Sequence, residues 1–251
     1  MIKFFRRIRQ NLLMENKTSK YFKYAIGEIV LVVIGILIAI QINDWNQDRI
    51  NGNEELSILK SLNAGLKKDQ ADILYNKSYF SESIADANKV IAALENDLPY
   101  NDSIPVYLGR MMRPMKFLHS TSAFETLKSK GIGFIRNTEL RDEIIHVFDS
   151  RYTFFLGEET RHLEELHRGL EEIFPTRIEE SYVFDLNAKG LNPKLVPINF
   201  EALKTDLEFL YYIKSFKNRI IVMTDYHYKI MNNIVVSLMN TIDEEINHLE
   251  N

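Results

Sequence analysis

Residues 24–42 read YAIGEIVLVVIGILIAIQI, and this apolar run decides how the rest of the chain is organised. Its only charged side chain is Glu28. A helix rises about 1.5 Å per residue, so about 20 apolar residues match the hydrocarbon core of a bilayer. Tyr24 lies at one end of the run and Trp45 just beyond the other end, where amphipathic rings favour the membrane interface. We therefore predict a transmembrane helix over residues 24–43.

The segments on the two sides of this helix carry opposite charge. Residues 1–23 hold seven basic side chains and one acid, residues 44–251 hold an excess of acids, and the whole chain sums to −4. Basic flanks stay in the cytoplasm. We expect a single-pass membrane protein, with residues 1–23 in the cytoplasm and residues 44–251 on the other side of the membrane.

Two other interpretations of the apolar run are a buried core helix and a cleaved signal peptide. A core helix does not usually separate a basic flank from an acidic one. A signal peptide has a short basic region and a cleavage site of small residues, whereas this leader is long and residues 40–43 read IQIN. We therefore favour an uncleaved signal anchor.

The basic leader, residues 1–23, also has the periodicity of an amphipathic helix. Such a helix can lie on an anionic leaflet, which makes membrane lipid the expected partner. The alternative is that these charges only set topology, and nucleic-acid binding explains them less economically. The side chains expected at the membrane surface are Lys3, Arg6, Arg7, Arg9, Lys17, Lys20 and Lys23.

One face of the predicted span carries an acid and two small residues. Glu28 and Gly35 are seven residues apart, and Gly35 and Ala39 form a small-xxx-small pair. Small residues let a second helix approach closely. We expect this face to associate with another span, either a second copy of the chain or another envelope membrane protein. The alternative is a lone span that tolerates its acid.

Residues 44–251 are predicted to be all-α. The chain has 10 Gly, 6 Pro and no Cys, so turn-forming residues occur at about half their average frequency of about 12%. A β-sandwich needs more turns, and a disulfide scaffold, a thiolate zinc site and a Cys nucleophile are excluded. A strict seven-residue apolar repeat predicts a first long helix, of coiled-coil type, that can continue from the span. Its repeat positions are Leu59, Leu66, Ile73, Phe80, Ala87 and Leu94.

The next segments are predicted as shorter helices separated by turn residues. Pro105 suits a helix start and Pro114 a helix end. The capping-box pattern Ser122-x-x-Glu125 predicts a helix over residues 122–130, with Gly131 at its C-terminus.

Two longer helices are predicted to complete the domain. One begins at Asn137 or Thr138 and runs to Phe174, and residues 176–198 form a long connection with Gly and Pro. Residues 198–251 lack both and predict one helix, with a bend near residues 211–218. Together the segments predict an elongated antiparallel up-down bundle whose last helix returns toward the membrane.

Residues capable of chemistry are present without a recognisable active-site motif. No nucleophile elbow, phosphate-binding loop or zinc-protease motif occurs, so we predict no catalytic residue and no cofactor. Glu-x-x-His pairs resemble half of a di-iron site but occur in a Glu-rich chain, and we predict no metal. These pairs are Glu143/His146, Glu159/His162, Glu164/His167 and Glu245/His248. Three aromatic clusters could line a pocket but more often form core: Tyr152/Phe154/Phe155, Tyr211/Tyr212 and Tyr226/Tyr228.

The opening, residues 1–46, resembles a family of uncharacterised bacterial single-span membrane proteins that carry a domain of unknown function. It reads MIKFFRRIRQNLLMENKTSKYFKYAIGEIVLVVIGILIAIQINDWN. A second stretch also resembles the family: residues 124–131, FETLKSKG, through residues 135–141, IRNTELR. The resemblance implies a single-pass protein of the bacterial inner membrane, with its N-terminus in the cytoplasm and a helical domain in the periplasm. It implies no activity and no catalytic residue.

These observations predict an interaction or scaffold protein of the cell envelope without catalytic activity. The alternative is a sensor-type helical bundle that binds a ligand and signals through a partner protein. A small-molecule site between the helices would favour the sensor, whereas a large exposed apolar patch would favour the scaffold.

Overall fold

The computed structural model describes residues 18–184 and 192–250, and most of them are helical, which confirms the predicted all-α class. The helices are α1 (Thr18–Glu95), α2 (Ile104–Met111), α3 (Ser122–Lys130), α4 (Thr138–Ile145), α5 (Tyr152–Arg168), α6 (Phe200–Leu203), α7 (Leu207–Val222) and α8 (Lys229–Glu250). The strands are β1 (Ile178–Val183) and β2 (Lys194–Pro197). The 3₁₀ turn is Ile132–Phe134, and the π-helical turns are His146–Arg151, Gly169–Ile173 and Met223–Tyr228.

The chain divides into two compact units, residues 1–55 and residues 56–251. In the first unit, α1 contains the apolar run, whose most apolar 18-residue window has a mean hydropathy of 2.6 and no buried side chain. Among the described residues this is the one helix long and apolar enough to cross a membrane. The N-terminal helix can therefore serve as a span, as the sequence predicts.

The second unit, residues 56–251, is called the helical domain below. All six positions of the seven-residue repeat on α1 are buried in its core, which confirms the predicted buried face. The side chains that form the core together with this face come from all the later helices and from both strands. The up-down order of these helices stays a prediction.

Several predicted helix boundaries are confirmed. Pro105 lies in the first turn of α2, which ends at Met111 ahead of Pro114. Gly131 ends α3 with a φ of +100°, a conformation that favours glycine. The Asn137 side chain accepts a hydrogen bond from the Leu140 amide and caps α4.

The predicted capping box at the start of α3 is not formed. Its N-cap residue is Thr121, and no side chain makes a capping hydrogen bond there.

The prediction of one helix over residues 198–251 is wrong in its first part. Two short polar side chains start separate helices: Asn199 caps α6 and Asp206 caps α7. Asp206 also accepts a hydrogen bond from the Arg177 guanidinium at 2.6 Å, and this charge lowers the pKa of Asp206. After this break, α7 continues through a π-helical turn into α8.

The long connection predicted over residues 176–198 contains two strands that the sequence did not predict. Strands β1 and β2 pair antiparallel within it, and Ile178 lies opposite Pro197. The register shifts between Ser181 and Val183, so Tyr182 lies at a bulge-like irregularity with a φ of +56°. A bulge bends a strand and redirects a side chain.

Strand β2 packs against α2 at a glycine, which predicts the effect of one added methyl group. A Cβ at Gly109 would fall on the carbonyl group of Pro193, which is backbone and cannot rotate away. Ala favours a helix over Gly by about 1 kcal/mol, but overpacking costs about 1–3 kcal/mol. We expect Gly109→Ala to lower the free energy of unfolding by up to about 2 kcal/mol, measured by urea unfolding of the full chain in nanodiscs.

Gly157 provides the matched control, because a Cβ there meets nothing within 4 Å on helix α5. We expect Gly157→Ala to stabilise the protein by about 1 kcal/mol. Equal stabilisation by Gly109→Ala would show that β2 does not approach α2 this closely.

Candidate functional site

The residues predicted at the membrane are only partly described by the structure. Lys3, Arg6, Arg7, Arg9 and Lys17 lie outside the described residues. Lys20 is in helix α1, and Lys23 is exposed on it.

The predicted association face of the span stays a prediction. A Cβ at Gly35 would meet nothing within 4 Å, and Ala39 is exposed, while Glu28 is partly buried. Close approach of a second helix is sterically open at Gly35 and Ala39.

The buried face of α1 carries polar residues that the apolar repeat did not predict. Three of them, Asp69, Asn76 and Ser83, lie in a second row with the same seven-residue spacing, between the buried Leu62 and Val90. A buried polar group is costly unless it is hydrogen-bonded. Each of the three polar members bonds to another segment of the domain.

The polar row holds an extended stretch, residues 112–121, called the strap below. The two carboxylate oxygens of Asp69 accept hydrogen bonds from the Ser120 amide and the Tyr152 hydroxyl, each at 2.7 Å. Asp72 accepts one from the Leu118 amide at 3.0 Å. The strap has no sheet partner, so these carboxylates satisfy its backbone.

A second buried carboxylate reaches the strap from α5. Oε1 of Glu159 accepts hydrogen bonds from the Phe117 amide at 2.8 Å and the Tyr228 hydroxyl at 2.7 Å. Burial raises the pKa of Glu159, although both hydrogen bonds oppose the shift. Burial likewise raises the pKa of Asp69.

His162 lies one turn after Glu159 and is also buried. Its ring stacks on Phe216 with the centroids 5.2 Å apart and meets Phe80 edge-on at 5.4 Å. Burial, assisted by the charge of Arg219, lowers the pKa of His162 to about 4. His162 is therefore a neutral core residue at physiological pH.

The Glu-x-x-His pairs do not come together. Only Glu159/His162 is wholly buried, and within the described parts of the chain no group of three or more His, Asp or Glu side chains could hold a metal ion. Oε1 of Glu159 instead accepts hydrogen bonds from the strap and from Tyr228.

An aromatic cleft of about 670 Å³ opens on the helical domain, and it is the candidate functional site. Its volume lies within the range of about 300–1,000 Å³ typical of small-ligand sites. Three segments supply its walls: α1, the start of the strap, and the β1–β2 hairpin. The lining residues are Tyr75, Tyr79, Glu82, Arg113, Pro114, Met115, Tyr182, Phe184, Asn192 and Pro193.

Aromatic rings from two segments of the domain line the cleft. Tyr75 and Tyr79 lie one turn apart on α1 with ring centroids 5.9 Å apart. On the hairpin, the rings of Tyr182 and Phe184 lie within 14° of parallel at 6.4 Å. The cleft can therefore contact a ring on more than one side.

One cation is fixed within this aromatic wall. The guanidinium carbon of Arg113 lies 4.0 Å from the centre of the Tyr79 ring, a cation–π contact. Burial lowers the pKa of Arg113, although the guanidinium stays protonated. The carboxylate of Glu82, one turn after Tyr79, adds an acid to the lining.

The fold holds both the strap and the hairpin in place around the cleft. The Tyr182 hydroxyl donates a hydrogen bond to the Met112 carbonyl at 2.9 Å, which ties the hairpin to the strap. A tyrosine with a positive φ is uncommon, and strained backbone persists where its surroundings determine it. Carboxylates of α1 and α5 bind the later part of the strap, at residues 117–120.

The three aromatic clusters singled out in the sequence divide between core and surface. Tyr152, Phe155, Tyr212 and Tyr228 are buried, as the more common interpretation predicts. Tyr211 and Tyr212 also line a second pocket of about 410 Å³, and Phe154 and Tyr226 line a third of about 160 Å³.

Comparison with known protein families adds one match. The model of a family of unknown function (DUF6090) matches residues 28–104, less than a third of the chain. The match includes residues 28–46 of the opening that resembles such a family, and it includes Tyr75, Tyr79 and Glu82 of the cleft. No curated protein and no solved structure matches this chain.

Proposed function

We propose that this protein is a membrane-anchored binding protein of the bacterial cell envelope, without catalytic activity. The span holds the helical domain in the periplasm, and the domain binds a small ligand in the aromatic cleft. A partner protein, or a second copy, receives the signal through the span. This is the sensor alternative drawn from the sequence.

The aromatic cleft carries the proposal. Small-molecule sites are concave and mostly apolar, with a few placed polar groups. The cleft combines four aromatic rings with one guanidinium and one carboxylate. The Tyr182–Met112 hydrogen bond joins two of its walls, which lowers the cost of ordering them around a ligand.

An exposed apolar row favours a second candidate function, that of a scaffold. Leu207 and Tyr211 on α7 are 81% and 73% exposed, and Val222 and Tyr226 follow on the same side. Phe154 of α5 lines the third pocket together with Tyr226. Exposed apolar patches mark protein interaction sites when they are contiguous.

In-cell photocrosslinking separates the two functions. A benzophenone amino acid replaces Tyr75 in the cleft, Tyr211 in the apolar row, or the exposed Ser81 as a control on α1. After irradiation, we expect a small-molecule adduct at position 75 in the mass spectrum of the purified protein. We expect none at position 81.

A protein-sized product at position 211, with no adduct at position 75, would contradict the ligand-binding proposal and favour the scaffold. Equal labelling at positions 75 and 81 would show only nonspecific reaction and would also count against the cleft.

A further inference from the structure

Resting on the proposed function, we infer that the cleft selects a planar aromatic ring system that carries an anionic group such as a carboxylate. The inference combines the shape of the aromatic walls with the position of the Arg113 guanidinium.

The aromatic walls favour a flat ligand. Because the Tyr182 and Phe184 rings are nearly parallel, one flat ring system can align with both. The Tyr75 and Tyr79 rings are tilted by 46° to each other and can meet the ligand by face and by edge. A saturated ring of the same size is thicker and lacks the π system that makes these geometries favourable.

The guanidinium favours an anion at one end of that ligand. The guanidinium carbon of Arg113 lies 4.0 Å from the centre of the Tyr79 ring, and the N–H donors of a guanidinium match the geometry of a carboxylate. Its partly desolvated charge strengthens attraction to an anion compared with water. Glu82, the other charged side chain of the lining, would repel an anion placed beside it.

Calorimetric titration of the full chain in nanodiscs tests this selectivity with three probes of equal size. The probes are 2-naphthoate, the neutral 2-naphthalenemethanol, and the saturated decahydro-2-naphthoate, each corrected for binding to empty nanodiscs. We expect 2-naphthoate to bind at least about tenfold more tightly than either of the others, since an ionic hydrogen bond contributes about 1.5–3 kcal/mol.

Three variants locate the binding, each first shown by circular dichroism to fold as the wild type does. Arg113→Gln should lower the affinity for 2-naphthoate at least about tenfold and should change the affinity for the neutral probe by no more than about twofold. Phe184→Ala, at an exposed ring, should weaken both aromatic probes by about three- to tenfold. Tyr211→Ala, in the second pocket, is the matched control and should change neither.

Each other result overturns the inference. If the neutral or saturated probe binds as tightly and Phe184→Ala weakens it, the cleft is a binding site but the selectivity is wrong. If 2-naphthoate binds with no effect of the cleft variants, it binds elsewhere. If no probe binds, the ligand class is wrong, and the crosslinked adduct at position 75 still decides the proposed function separately.

Discussion

Replacing Glu159 with Ala is expected to lower the free energy of unfolding of the helical domain by about 3–5 kcal/mol. The change leaves the Phe117 amide and the Tyr228 hydroxyl in the core without their acceptor. Each unsatisfied buried group costs about 1–3 kcal/mol, and the missing side chain adds a cavity. Total stability of a domain is about 5–15 kcal/mol, so this is a large share. Urea unfolding of the full chain in nanodiscs, followed by near-ultraviolet circular dichroism, measures it.

Glu159→Gln is the matched control, because its amide oxygen can accept the same two hydrogen bonds. Burial raises the pKa of Glu159, so the neutral amide should be tolerated within about 1 kcal/mol. The extra stability of protonated Glu159 is present below its unfolded-state pKa and lost as pH rises through its folded-state pKa. The free energy of unfolding of Glu159→Gln, compared with that of the wild type, should therefore increase as pH rises. Equal losses in both variants would show that these hydrogen bonds are not the cause.

Acid is expected to destabilise the helical domain through His162. The folded state lowers its pKa from 6.5 to about 4, so the unfolded chain takes up the proton first. Stability from neutral His162 is present above pH 6.5 and lost as pH falls toward 4, by up to about 3 kcal/mol. The buried carboxylates Asp69 and Glu159 have raised pKa values and act in the opposite sense, so a variant is needed to isolate the effect.

His162→Phe isolates it, because a phenyl ring can keep the contacts with Phe80 and Phe216 but cannot titrate. We expect the free energy of unfolding of this variant to lie within about 1 kcal/mol of the wild-type value at pH 7.5. At pH 4 it should exceed the wild-type value by about 3 kcal/mol. The measurement is urea unfolding at both pH values. Parallel pH curves for the two proteins would show that His162 is not the buried neutral group described here.

Periodicity predicted the helices well because one face of each helix must be buried. The seven-residue repeat from Leu59 to Leu94 needed only a count of apolar positions, and every one of them is buried. Pro105, Gly131 and Asn137 predicted boundaries because their backbone or capping preferences act locally. These features depend on neighbouring residues alone.

The buried polar row was missed although its signal was present. Asp69, Asn76 and Ser83 occupy regular positions on the buried face of α1, where an apolar residue is expected. Glu159 and His162 likewise fall between Phe155 and Leu166 on the inner face of α5. A polar residue at such a position indicates a hydrogen-bonding partner, but the sequence does not tell which segment supplies it.

The hairpin and the cleft were missed for a physical reason of another kind. Strands β1 and β2 are short and stable only through pairing with each other and packing against α2, where Gly109 makes room. The cleft joins residues from three distant segments. Arg113 and Tyr182 stood out in no motif, and only the fold brings them with Tyr79 into the lining of one cleft.

Single-cysteine labelling of intact cells tests most directly the claim that the span holds the cleft outside the cytoplasm. The chain has no native Cys, so a membrane-impermeant maleimide reports only on the introduced thiol. The account predicts that Tyr75→Cys, in the cleft wall, is labelled in intact cells, whereas Asn16→Cys, in the basic leader, is labelled only after lysis. Labelling of Asn16→Cys in intact cells, with Tyr75→Cys protected until lysis, would contradict it.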